Sequence, residues 1–379
     1  MRTELAHSLH GAKRDGTIYV IPPAAPGSLS DEYFLTAFID GVQARGASIV
    51  VLTDDRWGEV PWARARSLRT VAMVLHPSQR LHTRARALAE EMTANDEVVY
   101  LAADMLTGAY GDTPVAVLEV MAALRRGSGA RTRIVSMHAA QIMSDEPTRG
   151  YLSALAAEGG ITVRDKITAV VMSELSDTRV DSMPDVGWTH SCRPASAQSS
   201  GQLILVNPPS APMLGQSPDA ESHAAVVRYL AAEVSDFAEG ASVAVLVHDR
   251  RVASGEEDAA AMLIDELKAR HLTRVKVLRP GNIATVCRLL HTADLMISSR
   301  MHLSIHSLVA GCPTITIGYG PKFRAALGGV QPAAALLEAN RQSIGTLPRA
   351  LKAARADISA SVHRQAVAAH SHFLRTGAC

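Results

Sequence analysis

Residues 295–322 read Leu295-Met-Ile-Ser-Ser-Arg-Met-His-Leu-Ser-Ile-His-Ser-Leu-Val-Ala-Gly-Cys-Pro-Thr-Ile-Thr-Ile-Gly-Tyr-Gly-Pro-Lys322. The stretch spells strand, tight turn, helix, second strand and polar loop. A short apolar run ends at two serines, and Arg300 and His302 then open a helix. Gly311 stops that helix, Pro313 follows, and a β-branched run leads into a Gly-rich loop carrying Lys322. Strand-helix-strand units of this kind build parallel sheets. Arg300, His302 and Lys322 are therefore expected at the carboxyl ends of two neighbouring strands, where open α/β sheets bind ligands. A helix N-terminus there adds free backbone N–H groups and partial positive charge. The local expectation is an anion site.

The same alternation extends outward. Leu203–Asn207, Ser242–His248 and Val275–Leu278 read as strands, and His223–Phe237, Glu256–Arg270 and Ile283–His291 as helices. Nearer the N-terminus, Thr17–Ile21, Ala47–Thr53, Thr70–Leu75, Glu97–Ala102, Thr132–Met137 and Gly160–Arg164 form a second strand series with helical patterns between them. A small, polar stretch separates the two series. The expected architecture is α/β, with two doubly wound, Rossmann-like domains facing a cleft. An N-terminal domain spans 1–190, a linker 191–201 and a C-terminal domain 202–345. Residues 333–379 read as mostly Ala-rich helix, and the segment 346–379 is expected to pack back across the linker.

A chain of 379 residues with 47% apolar and 20% charged residues suits a two-domain globular protein. A net charge of +1 argues against a general nucleic-acid or membrane-surface protein, while leaving room for a local basic pocket. The N-terminus lacks a signal-peptide core, and no run of about 18 apolar residues occurs. Cys192, Cys287, Cys312 and Cys379 are far apart and read as thiols of a reducing compartment, so the expected location is cytoplasmic. No Gly-x-Gly-x-x-Gly follows the first strand, and no Walker loop or Gly-x-Ser-x-Gly elbow occurs, so no bound cofactor is expected. His302 and His306 share a helical face at zinc-binding spacing, but no third ligand is evident and no metal is expected.

Ser299-Arg300-Met301-His302, with Ala310-Gly-Cys-Pro313 and Gly320-Pro-Lys322, resembles the C-terminal signature of the polysaccharide pyruvyl transferase family. Three further stretches agree in order: Gly27-Ser-Leu-Ser-Asp-Glu32 after the first strand, Ile161-Thr-Val-Arg-Asp165 at a strand end, and Met183-Pro-Asp185 closing the first domain. Ser28 and Ser30 depart from the family's Asn and Gly, Met301 from its more usual Leu, and His306 is an addition. The resemblance implies a GT-B-like fold and a transferase acting in polysaccharide biosynthesis for the cell envelope. Pyruvate would pass from phosphoenolpyruvate, as co-substrate, to a saccharide as a ketal, with release of phosphate. It also implies that Arg164, Arg300, Met301 and Lys322 handle the donor and that His302 is catalytic.

These residue types fit that chemistry. Phosphoenolpyruvate carries a carboxylate and a phosphate, which call for cations in fixed geometry, Arg for planar recognition and Lys as a point charge. Histidine gives or takes protons near neutral pH, as acid or as base. Each residue also has a reading without chemistry. Arg164 could form an ion pair, with Asp165 capping the helix that begins at Lys166. Arg300 could pair with Asp294 or Glu256, and Lys322 could be solvated. Asp31 and Glu32 either meet an acceptor hydroxyl or offset a helix dipole, with Ser28-x-x-Asp31 as a capping box. Tyr110 either stacks on a sugar or turns a loop, and His248 either contacts the acceptor or ends a strand. Competing functions are a GT-B glycosyltransferase using a nucleotide sugar and a non-catalytic binding relative. The acceptor, free, lipid-linked or nucleotide-linked, leaves no signature, and membrane contact would be transient.

Overall fold

The computed structural model describes residues 16–23, 27–43, 46–53, 69–72, 79–107, 112–139, 146–189, 202–214, 222–238, 240–355 and 359–376. The expected linker 191–201 and Tyr110 lie outside them. By contact the chain forms two units. The first comprises Met1–Pro26, Phe34–Val186 and Ala368–Cys379, and the second Gly27–Tyr33 and Gly187–Val367.

The first unit is built on strands β1 (Thr17–Ile21), β2 (Ser48–Thr53), β3 (Arg69–Ala72), β4 (Glu97–Leu101), β5 (Arg131–Met137) and β6 (Ile161–Val163). Between them run helices α1 (Leu29–Gln43), α2 (Gln79–Glu91), α3 (Thr113–Ser128) and α4 (Glu146–Ala157), and α5 (Lys166–Ser176) follows β6. The strands pair in parallel in the order β3-β2-β1-β4-β5-β6. Strand side chains alternate between faces, so each strand feeds two cores. Ile18, Val20, Val99 and Leu101 pack with Phe34, Phe38 and Ile39 of α1. Tyr19, Ile21, Val98 and Tyr100 pack with Leu88 of α2 and Val117, Met121 and Leu124 of α3. Helices on both faces explain why these strands read as continuous apolar runs.

The second unit repeats the plan with β7 (Leu203–Asn207), α6 (His223–Phe237), β8 (Ser242–Leu246), α7 (Glu256–Ala269), β9 (Val275–Leu278), α8 (Ile283–Thr292), β10 (Leu295–Ser298), α9 (Met301–Val309), β11 (Thr314–Gly318), α10 (Pro321–Leu327) and β12 (Leu336–Glu338). Helices α11 (Leu347–Ala354) and α12 (Ser359–Thr376) complete the chain. The sheet is parallel in the order β12-β11-β10-β7-β8-β9, which is the order of the first sheet counted from its own first strand. Both sheets therefore reverse direction of growth beside their first strand, at β1/β4 and at β7/β10, the topological switch points where such folds bind ligands. Gly311, at φ +78, takes the left-handed position just past α9 as expected, a conformation costly to other residues.

Three expectations change. Lys322 sits not in a loop but in the first turn of α10, with Pro321 opening the helix. Residues 333–379 are not helical throughout, because Leu336–Glu338 adds the edge strand β12 against β11. Three residues flanked by alanines carry too short a pattern to distinguish strand from helix. Cys287 is disulfide-bonded, so the expectation of unpaired thiols does not hold for it, whereas Cys312 is free and buried. Among the described residues no helix is long and apolar enough to cross a membrane.

Candidate active site

The switch point of the second sheet is closed by side chains from both strands that meet there. Asn207 ends β7, and its carbonyl accepts a bond from the Ser299 amide at 3.1 Å, while Ser299 Oγ donates to Asn207 Oδ1 at 3.1 Å. The chain then turns at Arg300, whose backbone is extended (φ −108°, ψ 124°), before α9 begins. Ser298 Oγ accepts the Arg300 amide at 3.1 Å, so the turn is locked by the serine pair that the sequence places before the helix. Met301 and His302 are the first two residues of α9, and both are largely buried.

Arg300 is not a bare cation. Its Nε donates to Glu256 Oε1, and its Nη2 lies 3.3 Å from Asp249 Oδ2. Asp249 also receives Arg251, with Nε 2.9 Å from Oδ1 and Nη2 2.6 Å from Oδ2. Arg251 Nη1 in turn lies 3.4 Å from Asp31 Oδ2. The result is a chain of alternating charge, Asp31, Arg251, Asp249, Arg300 and Glu256. Burial alone would raise the Asp249 carboxyl, but bonds from Arg251 and the charges of Arg300 and Arg251 hold it below the usual carboxylate range. Burial opposes charge on Arg300, and the carboxylates of Glu256 and Asp249, with Tyr319, more than offset it and raise its pKa.

Residues 27–33 reach this cluster as a strap. Ser28 bridges Asp249 in antiparallel fashion, the Leu29 amide donates to the His248 carbonyl at 3.1 Å, and the Arg250 amide donates to the Gly27 carbonyl at 2.8 Å. Gly27 adopts φ +113, and a Cβ there would stand 3.1 Å from Arg251 Cγ, so glycine meets both the backbone and the space requirement. Ser28 Oγ accepts the Asp31 amide at 3.4 Å, the capping interaction expected at the start of α1. Ser30 lies in the first turn of that helix and not at a positive φ, so its replacement of a glycine strains nothing. Burial raises the Glu32 carboxyl, against the lowering effects of Arg250 and the Gly27 amide. His248 is fully buried under the strap with Ser30 Oγ 3.4 Å from Nδ1. Burial, together with the charges of Arg300, His302 and Arg251, pushes it down to about 3 against the pull of Asp249, so it is neutral at physiological pH.

On the other side of Arg300, β11 delivers Tyr319 and α10 delivers Lys322. Lys322 Nζ stands 5.0 Å from the Tyr319 ring centroid, a cation–π distance, and Phe323 meets the same ring edge-on at 4.9 Å. His306, fully buried in α9, packs its ring 3.5 Å from that of Tyr33 at a 53° tilt. Its four-residue spacing from His302 thus accompanies a packing role. Among the described residues no group of three or more His, Cys, Asp or Glu side chains is placed to hold a metal ion.

In the first unit, at the carboxyl end of the edge strand β6, Arg164 Nη1 bonds Asp185 Oδ2 at 2.9 Å with 2% and 0% of the side chains exposed. This joins the Arg-Asp and Pro-Asp stretches in one buried pair. Asp165 caps α5 as expected, accepting the Thr168 amide at 2.9 Å. It also takes His138 Nδ1 at 2.7 Å. Burial would raise Asp165, but these partners hold it below the usual range. His138 leaves β5 just after a bulge in which Ser136 has φ +56, and its amide bonds Ala103, itself at φ +46.

Residues 144–321 match a known protein family. It is the polysaccharide pyruvyl transferase family, the one the motifs resemble. The family supports a transferase that modifies polysaccharides. No curated protein matches the chain significantly. Among solved structures, a glycosyltransferase from Rickettsia africae has a TM-score of 0.62 at 11% identity, covering 95% of this chain and 96% of that one. Anabaena HepE, solved with UDP and glucose, has 0.58 at 12%, covering 95% and 99%. A putative UDP-N-acetylglucosamine 2-epimerase from Listeria monocytogenes has 0.58 at 12%, covering 96% and 97%. Such identities speak for the fold alone, a pair of Rossmann-like units of the GT-B kind.

Arg164, His248, Arg300, Met301 and His302 fall inside the span matched by the pyruvyl transferase family, and Lys322 lies one residue beyond it. Within the second unit the fold gathers Arg300, Met301, His302, Lys322, His248, Asp31 and Glu32 around one sheet end. Arg164 belongs to the first unit. Sequence reasoning missed Asn207, Tyr319 and His138. Asn207 and Tyr319 each stand at or just past a strand's carboxyl end, the one positional signal that would have found them.

Proposed function

We propose that the protein transfers pyruvate from phosphoenolpyruvate onto two hydroxyls of a saccharide, forming a ketal and releasing phosphate. The observation that carries the reading is Arg300, a family-motif arginine held at the β7/β10 switch point beside the helix start that bears His302. In this reading Arg300, Lys322 and the amino end of α9 receive the anionic groups of the donor, with Met301 lining the site. Arg164 is a further donor candidate, and Asp31, Glu32 and His248 are candidates on the acceptor side. Two carboxylates already balance Arg300, and the amino end of α9 adds partial positive charge for the donor's anionic groups.

The reaction requires a proton on the donor's methylene carbon, which makes C2 an oxocarbenium ion. One acceptor hydroxyl adds to C2 and loses its proton. The C2–O bond to phosphate then breaks, and the second hydroxyl closes the ring. Of the two hydroxyl protons, one balances the new methyl group and the other leaves on phosphate. His302 is the residue assigned to carry a proton in this sequence. No resident cofactor or metal enters the scheme. In this reading the reaction takes place in the cytoplasm, on a glycan destined for the cell envelope.

The test is phosphate release from phosphoenolpyruvate in the presence of candidate acceptors, followed by mass spectrometry of the product. The expected result is a pyruvate-ketal mass gain that disappears in His302→Ala, while a thermal shift with phosphoenolpyruvate persists in that variant. Consumption of a nucleotide sugar without use of phosphoenolpyruvate would overturn the reading.

A further inference from the structure

Glu256 is the first residue of α7, and only 1% of it is exposed. A lone buried carboxylate is costly, so its partners must compensate. Its Oε2 accepts the His248 amide at 2.7 Å, the Asp249 amide at 2.9 Å and Asn207 Nδ2 at 3.1 Å. Its Oε1 accepts Arg300 Nε. One side chain thus ties together the carboxyl end of β7, the segment after β8, the start of α7 and the turn after β10. The two oxygens divide the labour: one holds backbone and amide, the other holds the arginine.

This division has a consequence for Arg300. A guanidinium can meet a carboxylate or phosphate along its Nε/Nη edge or across its two terminal nitrogens. Here Glu256 holds Nε, and Asp249 takes Nη2. Nη1 alone has no hydrogen-bond partner among the described residues, and the side chain is 17% exposed. Arg300 is therefore fixed to present its Nη1 corner, with the Nε edge withheld.

We propose that Glu256 is a positioning residue for the transferase, orienting Arg300 so that its Nη1 end meets the anionic donor. The inference rests on the proposed use of phosphoenolpyruvate. Glu256→Gln separates the two tasks. A carboxamide oxygen can still accept the His248, Asp249 and Asn207 donors, while its NH2 group faces Arg300 Nε and cannot accept from it. Two readouts are paired. The first is phenylglyoxal labelling of Arg300, followed by peptide mass spectrometry, which needs no substrate. It is expected to rise about tenfold in Glu256→Gln, with a melting temperature close to the parent. The second is steady-state kinetics with phosphoenolpyruvate, where KM is expected to rise tenfold or more with a smaller change in kcat. The KM effect should vanish when Glu256→Gln is made in an Arg300→Lys background.

Unchanged labelling of Arg300 overturns the positioning role whatever the substrate. Raised labelling with unchanged KM for phosphoenolpyruvate also overturns it, as does a KM effect that persists in the Arg300→Lys background. If the parent protein does not consume phosphoenolpyruvate at all, the proposed function fails. Raised labelling would then still support Glu256 as the group that holds Arg300.

Discussion

Arg164→Met isolates the buried pair of the first unit. At 2.9 Å, the attraction between Arg164 and Asp185 is about 6 kcal/mol for an effective dielectric near 20. Removing both ions from water costs several kcal/mol each, so the pair as a whole contributes little net stability. Removing only the arginine is different. Asp185 loses this partner while staying at 0% side-chain exposure, and the expected loss is about 3–5 kcal/mol. Arg164→Met/Asp185→Asn removes both charges and should recover more than half of that loss. Urea unfolding followed by circular dichroism reads the total. Native-state hydrogen exchange at β5 and β6 assigns it to the first unit. A loss below about 1 kcal/mol in the single variant, or a double variant that loses as much as the single, would refute the buried-pair argument. Donor binding by Arg164 has a separate signature, a raised KM for phosphoenolpyruvate that survives in the double variant.

Two further outcomes follow from the titrating groups. His248 has a folded-state pKa of about 3 against an ordinary value of 6.5, so between those values the unfolded chain binds more protons and stability falls as pH falls. The loss is about 1.4 kcal/mol per pH unit below 6.5, and His248→Gln should therefore lose about 2 kcal/mol less than the parent between pH 7 and pH 5 in urea titrations; equal losses would contradict the burial argument. Asp165→Ala removes the α5 cap and the His138 partner, with an expected cost of about 1–2 kcal/mol, and faster amide exchange at Thr168 and Ala169 is the direct measurement, an unchanged rate speaking against the cap.

The alternation of apolar runs with helical periods was enough to predict two α/β halves, because a strand buried on both faces and a helix with one apolar stripe leave distinct patterns over their own lengths. β10, α9 and β11 were legible for that reason, and so were the Gly311 stop and the Asp165 cap. β12 was not, since three residues carry no period. Lys322 was misplaced because a Gly-Tyr-Gly-Pro run reads as loop, although Pro321 is also a favoured helix opener.

The sequence by itself determined the residue types available for chemistry and their positions along the chain: two serines, an arginine and a histidine at one strand-to-helix turn, with a lysine after the next strand. Only the tertiary structure decided that Arg300 is held by Glu256, 44 residues earlier, and by Asp249, 51 residues earlier. It also decided that Asp31 at the start of α1 joins the second unit's charge chain, while Ser30 faces His248 there. The reason is physical. Local patterns report which face of an element is apolar, whereas strand order decides which carboxyl ends become neighbours, and that order places β10 beside β7 and β8 next in line.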